Sequence, residues 1–407
     1  MVGTLTGAPA AGGVPTNHKK QSDATILNVP FLSVVNIDNI FLLIMKKILF
    51  IVQLPPPVHG ASLINSYVVN NPYIQEKFSC KVLPLQFADT VADIGKFSVR
   101  KLLLIPVFTT KLIWNLFTFR PALVYYNFAP SGPAFYRDTL YAVIIKTCGI
   151  KLALHLQGRG VAENSNKPGW KRWLYKQVFK KTFPICLAER LASDFSNVHF
   201  GKYYVLNNAI PLQINLPRKK DHSCPTFIFL SNLFKSKGIL TFLESMKILK
   251  QRGIYFNALI VGNNGDFTIE EAREFVNVNN LRDYISVMGP LYDSQKFEAL
   301  RAADYFVFPS VNEAFPLTIL EAMQCGLVTV STFTGAIPDI IEDGRNGKLC
   351  SSTDPQDWAN LLENLMSDTH AAKCMGETAR RDFHEKYTFA TFDKNVLTII
   401  QDILNQK

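Results

Sequence analysis

Two glutamates, Glu313 and Glu321, bracket the segment "EAFPLTILE" and are the residues best placed to do chemistry. The run around them, residues 307–332, reads as strand, loop, helix, glycine stop and strand. Pro316 sits where a helix start tolerates proline, and Gly326 where glycine closes a helix. A helix start at the C-terminal end of a parallel strand presents unsatisfied N–H groups and a partial positive charge, which suits a diphosphate. Two carboxylates around a bare phosphate would repel it. They make sense as acceptors of hydrogen bonds from sugar hydroxyls, one on a transferred sugar and one on a ribose.

Three further residues stand out. Lys237 in "SNLFKSKG" is a compact cation beside a glycine, readable as an anion ligand or as a solvated lysine at a helix start. Gly60 in "PPPVHGAS" would let the backbone approach a ligand. His155 ends the apolar run "KLALH" shortly before Gly158, as a packed histidine or one at the ligand-facing end of a strand. Arg137 and Asp138 fit a structural ion pair as well as a site.

The elements that must position these residues alternate strand and helix, the signature of parallel α/β sheets. In the first half "KILFIVQL", "ALVYYNF" and "KLALHLQG" read as buried strands, then comes the basic helix "GWKRWLYKQVFKKTF", and "YYVLNNAIP" leads out. The stretch "LPRKKDHSCP" reads as a linker, and the alternation restarts at "TFIFLS". A chain of 407 residues fits two domains. The expected division is an N-terminal extension over 1–44, a Rossmann-like domain over 45–215, a linker over 216–225, a second Rossmann-like domain over 226–385, and a C-terminal helix over 386–407 packing back on the first domain. Facing sheets of this kind leave a ligand cleft at their strand ends.

Charge is divided unevenly. Residues 1–222 hold 26 Lys+Arg against 10 Asp+Glu, hence 26 − 10 = +16, and residues 223–407 hold 17 against 23, hence 17 − 23 = −6. An excess of this size points the first half at something anionic, or marks a solvated basic face. The apolar run 99–121 and the basic, aromatic run 170–181 read as core helices or as membrane-surface segments. Nucleic acid is a poor fit, because no recognised module is present and the basic residues lie among apolar ones. Seven scattered cysteines without a CxxC pair suggest reduced thiols in a cytoplasmic protein and no zinc site. Residues 1–23 are small, polar and aperiodic, an expected disordered extension. The apolar stretch that follows is broken by Asp38, Lys46 and Lys47, which argues against a membrane span.

The segment "NEAFPLTILE" resembles the E-x7-E signature of retaining glycosyltransferase family 4, with Glu313 and Glu321 as its glutamates. "SNLFKSKG" is similar to the family's phosphate-binding turn, "VMGPLYDSQKFEALRAADYFVFPS" to its approach to the glutamates, and "GAIPDIIEDGRNGKLC" to its sequel. The resemblance covers roughly residues 226–353 and extends more weakly to "PPPVHGAS" and "LHLQGRG". It implies the GT-B fold of two facing Rossmann-like domains and a metal-independent, retaining transferase with no resident cofactor. Its implied catalytic residues are Glu313, His155 and Lys237. The implied donor-binding set is Gly60, Asn232, Lys235, Phe315, Pro316, Leu317, Thr318 and Glu321. Asn232 stands where the family usually has arginine, leaving Lys235 to share the diphosphate's charge. The implied partners are a nucleotide-sugar donor, a glycan or lipid-linked acceptor of cell-surface polysaccharide synthesis, and an anionic membrane surface at the cytoplasmic face. The rival readings are a nucleotide-sugar epimerase of the same fold and a catalytically inactive basic binding or partner subunit.

Overall fold

The structure is a computed structural model that describes residues 45–57, 59–87, 99–213 and 224–406. The extension over 1–44 and most of the expected linker, 216–223, lie outside the described residues.

The first sheet comprises β1 (Lys47–Val52), β2 (Ser79–Pro84), β3 (Leu123–Asn127), β4 (Lys151–His155), β5 (Phe183–Cys186) and β6 (Tyr204–Val205), in the order β2-β1-β3-β4-β5-β6. The second comprises β7 (Thr226–Leu230), β8 (Asn257–Val261), β9 (Ile285–Gly289), β10 (Tyr305–Phe308), β11 (Val328–Thr332) and β12 (Gly347–Cys350), in the order β12-β11-β10-β7-β8-β9. Every pairing is parallel. The apolar runs explain this arrangement. β1, β3 and β7 are buried along almost their whole length, as strands covered by helices on both faces must be. In each sheet the chain reverses its direction of winding once, between β1 and β3 and between β7 and β10. At such a point two loops diverge from adjacent strand ends and leave a crevice for a ligand.

The first sheet is covered differently on its two faces. Phe108, Leu112, Phe135, Tyr141, Tyr175 and Val178 pack on one face, carried by the helices Val99–Phe119, Gly132–Thr147 and Trp170–Phe179. On the other face, Ile48, Phe50 and Ile185 meet Phe392, Val396, Ile400 and Ile403 of the helix Phe389–Asn405. That helix is tied to the first lobe by polar contacts as well. Asn71 Nδ2 donates to the Asp393 carbonyl at 3.0 Å, and Lys151 Nζ donates to the carbonyls of Ile403 and Leu404 at 3.1 and 3.0 Å. Arg137 and Asp138 form a structural ion pair at 2.7 Å. The buried carboxylate also accepts from the Ala129 N–H, and the guanidinium lies over the Phe87 ring. All seven cysteines are free thiols.

Candidate active site

Loops at the C-terminal ends of β7 and β10 meet at the reversal point of the second sheet. Lys235–Lys237 makes one 3-10 turn after β7, and Gly238 follows with φ +85 as the N-cap of the helix Ile239–Gln251. Glycine is required at that position twice over. The left-handed backbone disfavours side chains, and a Cβ there would stand 2.2 Å from the Pro309 carbonyl oxygen. The turn therefore packs directly on the β10 loop, where the Val311 N–H and the Ser310 hydroxyl both donate to the Ser236 carbonyl at 3.0 and 3.2 Å.

This packing brings Lys237 Nζ to 2.5 Å from Glu313 Oε1 and 3.2 Å from the Asn312 carbonyl. The Ser310 hydroxyl reaches the same carboxylate oxygen at 3.3 Å. Burial pushes the Glu313 carboxyl above the usual range, while the Lys237 charge and the hydrogen bonds from Lys237 and Ser310 pull it back. Gly335, with φ +61, supports the loop from behind, since a Cβ there would lie 2.2 Å from the Glu313 carbonyl oxygen.

Pro316 is the N-cap of the helix Leu317–Gln324, and Gly326 follows its C-cap with φ +74. Glu321 lies on that helix and pairs with Lys296 at 2.6 Å. Burial raises the Glu321 carboxyl, and Lys296 opposes the shift. Lys296 belongs to the helix Asp293–Arg301 and carried no signal in the sequence, where it looks like any solvated helical lysine. Across the cleft, Tyr67 has its phenol raised first by burial and then by the Glu321 charge.

The remaining expected residues divide in two groups. Leu317 and Thr318 open the helix, half-buried, facing the first lobe: a Cβ on Gly60 would come 3.9 Å from Leu317 Cδ1. Gly60 is itself the first residue of a helix, Gly60–Val69, capped by His59 and Ser62, and its φ is unexceptional. A Cβ there would make only an ordinary van der Waals contact with Leu317, so packing does not demand glycine at this position. Asn232 and Lys235 are exposed near the turn; Asn232 Oδ1 accepts from the Asn263 N–H at 3.4 Å. Phe315 is buried with its ring 6.2 Å from that of Tyr387, so its side chain serves packing.

His155 requires a correction. It does lie at the end of β4, but it is fully buried. Its Nδ1 is 2.5 Å from the Tyr125 hydroxyl, and the Gln157 amide covers the ring at 3.2 Å from both nitrogens. Burial pushes its pKa down to about 3. The ring is thus enclosed by Tyr125 and Gln157, and the half-buried residue at that strand end is Gln157.

Residues 224–368 match the model of the family Glycosyl transferases group 1. A D-inositol 3-phosphate glycosyltransferase of Paenarthrobacter aurescens is 31% identical over 154 residues, 37% of this chain and 38% of that protein. An N-acetyl-alpha-D-glucosaminyl L-malate synthase of Bacillus anthracis is 28% identical over 178 residues, 44% of this chain and 45% of the relative. The chain thus spans less than half the length of these curated relatives. Among solved structures, a glycosyltransferase of Rickettsia africae superposes with a TM-score of 0.72 at 16% identity, covering 89% of this chain and 100% of its own. HepE of Anabaena in complex with UDP gives 0.67 at 16% identity, over 88% of this chain and 100% of its own. The whole described chain has the GT-B fold of these structures, and Lys237, Lys296, Glu313 and Glu321 all lie within the segment that matches the Glycosyl transferases group 1 model.

Proposed function

We propose that this protein transfers a sugar, with retention of anomeric configuration, from a nucleotide-diphosphate sugar to a glycan or lipid-linked acceptor in polysaccharide synthesis. The observation that carries this reading is the pair of Lys–Glu contacts flanking the reversal point, Lys237 with Glu313 and Lys296 with Glu321. Each holds a carboxylate where a sugar hydroxyl needs an acceptor and a cation where a phosphate needs a counter-charge. In the reaction the bond from the anomeric carbon to the diphosphate oxygen breaks and its electrons stay on the phosphate. The acceptor hydroxyl bonds to the same carbon from the side the diphosphate leaves, and its proton passes to the departing oxygen. Lys237 and the start of the helix at Leu317 stabilise the growing phosphate charge. Glu313 orients the transferred sugar and Glu321 the ribose. The lysine and the helix dipole take the part a divalent cation plays elsewhere.

The outer face of the first lobe suggests where the reaction happens. Leu103, Trp114 and Phe117 are each 68% exposed, and Trp170 and Trp173 are 62% exposed. Side chains of this size seldom stand in water unless something covers them. The helix Arg100–Phe119 is long and apolar enough to cross a membrane, yet Phe108, Leu112 and Leu116 anchor it in the core of the first lobe. A helix so anchored suits the membrane surface, with tryptophans at headgroup level and lysines against anionic lipid. We place the protein at the cytoplasmic face of such a membrane.

A panel of nucleotide sugars, screened first by thermal stabilisation and then for donor hydrolysis in excess EDTA, tests the proposal. Stabilisation and hydrolysis with one donor are expected. An absence of both across the panel, or a strict Mg²⁺ or Mn²⁺ requirement, would sink it.

A further inference from the structure

At the C-terminal ends of β4, β5 and β11 lies a cavity of about 320 Å³, lined in part by Arg159, Arg190, Asp194, Phe333, Thr334 and Gly335. It adjoins the proposed site directly, because Gly335 packs its backbone against the Glu313 carbonyl. Its charge is unusual. Neither the Arg159 nor the Arg190 guanidinium has an ion-pair partner among the described residues. The nearby carboxylates are already engaged by the main chain. Asp194 accepts the N–H groups of Gly160, Val161 and Ala162 at 2.9, 3.0 and 2.9 Å, which fixes the turn following Arg159. Asp339 accepts the Arg190 backbone N–H at 2.9 Å, which holds that residue against the second lobe. Both carboxylates thus position an arginine without pairing with its side chain.

We propose that this cavity is the acceptor subsite and that it recognises an oxyanion, a phosphate or carboxylate on the acceptor, through Arg159 and Arg190. The inference rests on the glycosyltransferase reading above and adds the acceptor's chemical class. Two planar guanidiniums suit an oxyanion because each offers parallel N–H donors, and both side chains are exposed and open to a ligand. The cavity is on the β11 side of Glu313, whereas the Lys237 turn that would take the donor diphosphate is on the β7 side. An acceptor anchored there would meet the transferred sugar at Glu313.

The test uses the full chain saturated with UDP and titrated calorimetrically with glucose 6-phosphate or with glucose. The phosphorylated probe should bind at least tenfold more tightly. The double variant Arg159→Gln, Arg190→Gln should lose about tenfold or more per arginine for that probe while keeping its UDP affinity. Lys77→Gln with Lys81→Gln, which removes two exposed charges elsewhere on the lobe, should leave both affinities intact. Dihexanoyl phosphatidic acid kept monomeric in solution, which presents no surface to the outer helices, is run beside glucose 6-phosphate and separates a lipid-borne anion from a sugar-borne one; arginine dependence is required in whichever arm binds. Equal binding of the two glucose probes, or unchanged phosphate affinity in the double variant, overturns the proposal. A parallel loss of UDP affinity also overturns it and assigns the arginines to the donor. Failure of the wild type to bind UDP rejects a uridine donor and leaves the glycosyltransferase reading to the donor panel, while the probe comparison, run without nucleotide, still decides whether the cavity is an anion site.

Discussion

At the cleft edge of the second sheet, Lys237 and Lys296 are each matched to a carboxylate, whereas at the same edge of the first sheet Arg159 and Arg190 have no carboxylate partner among the described residues. The contrast continues on the outside, where the first lobe exposes Trp114, Phe117, Trp170 and Trp173 on helices studded with lysine. Two lobes with one architecture therefore treat charge in opposite ways. A Lys–Glu pair is a preformed site that holds its geometry without ligand, and the incoming donor exchanges partners with it. Unpaired cations and bare tryptophans pay no such exchange and attract whatever anionic or lipid surface is near. On the proposals above, the second lobe's paired lysines take the donor, the first lobe's cleft arginines take the acceptor's oxyanion, and its outer face meets a membrane.

Four measurements would break or sharpen this contrast. The largest effect is expected on the outer face. Reversing Lys171, Arg172, Lys176 and Lys180 to glutamate should weaken binding to anionic vesicles by on the order of a thousandfold, at about 1 kcal/mol per basic residue, and leave donor hydrolysis intact. Wild-type binding should fall steeply as salt shortens the Debye length from about 10 Å at 0.1 M to about 3 Å at 1 M. If neither protein sediments with vesicles at low salt, the outer face has another use. Next, Glu313→Ala should lower turnover on the order of a hundredfold with little change in donor affinity, since its contacts matter most as the sugar departs. Glu321→Ala should weaken donor binding about tenfold with turnover less affected, and it strands Lys296 half-buried without its partner. Near-wild-type kinetics in both variants would remove the two pairs from the site.

The last measurement reads stability instead of binding or turnover and concerns His155. Its folded pKa of about 3 lies below an unfolded value of about 6.5, so the unfolded chain binds the extra proton first. The stability contributed by keeping it neutral is fully present above about pH 6.5. It is lost towards pH 3 at about 1.4 kcal/mol per pH unit. Melting temperatures between pH 7 and pH 4.5 should fall less steeply for His155→Gln than for the wild type. Equal slopes would mean that the ring is reachable by protons in the folded state.

The sequence was most legible where packing leaves a continuous signature. β1, β3, β7 and β10 each consist of an apolar run with at most one polar residue at an end, and those runs mark them in the sequence. β2 and β12 were missed, and both are edge strands whose residues are mostly half-solvated, so neither leaves an apolar run or a clean alternation. The Lys237 turn and the two glutamates were found because glycine and proline punctuate them. Lys296 was missed because only the tertiary fold brings it to Glu321. His155 was misread because a strand end looks the same in sequence whether its last side chain faces a cleft or a neighbouring tyrosine; the Tyr125 hydroxyl decides it.

The helix Phe389–Asn405 has a consequence for how the chain is made. One face of the first sheet, including Ile48, Phe50 and Ile185, is closed by Phe392, Val396, Ile400 and Ile403. During synthesis β1 leaves the ribosome before the second lobe, and the side chains that cover it follow that lobe. The first lobe must therefore wait, partly open, through translation of the whole second lobe, which carries its own strands and helices and can mature meanwhile. The lobe begun first is the lobe completed last.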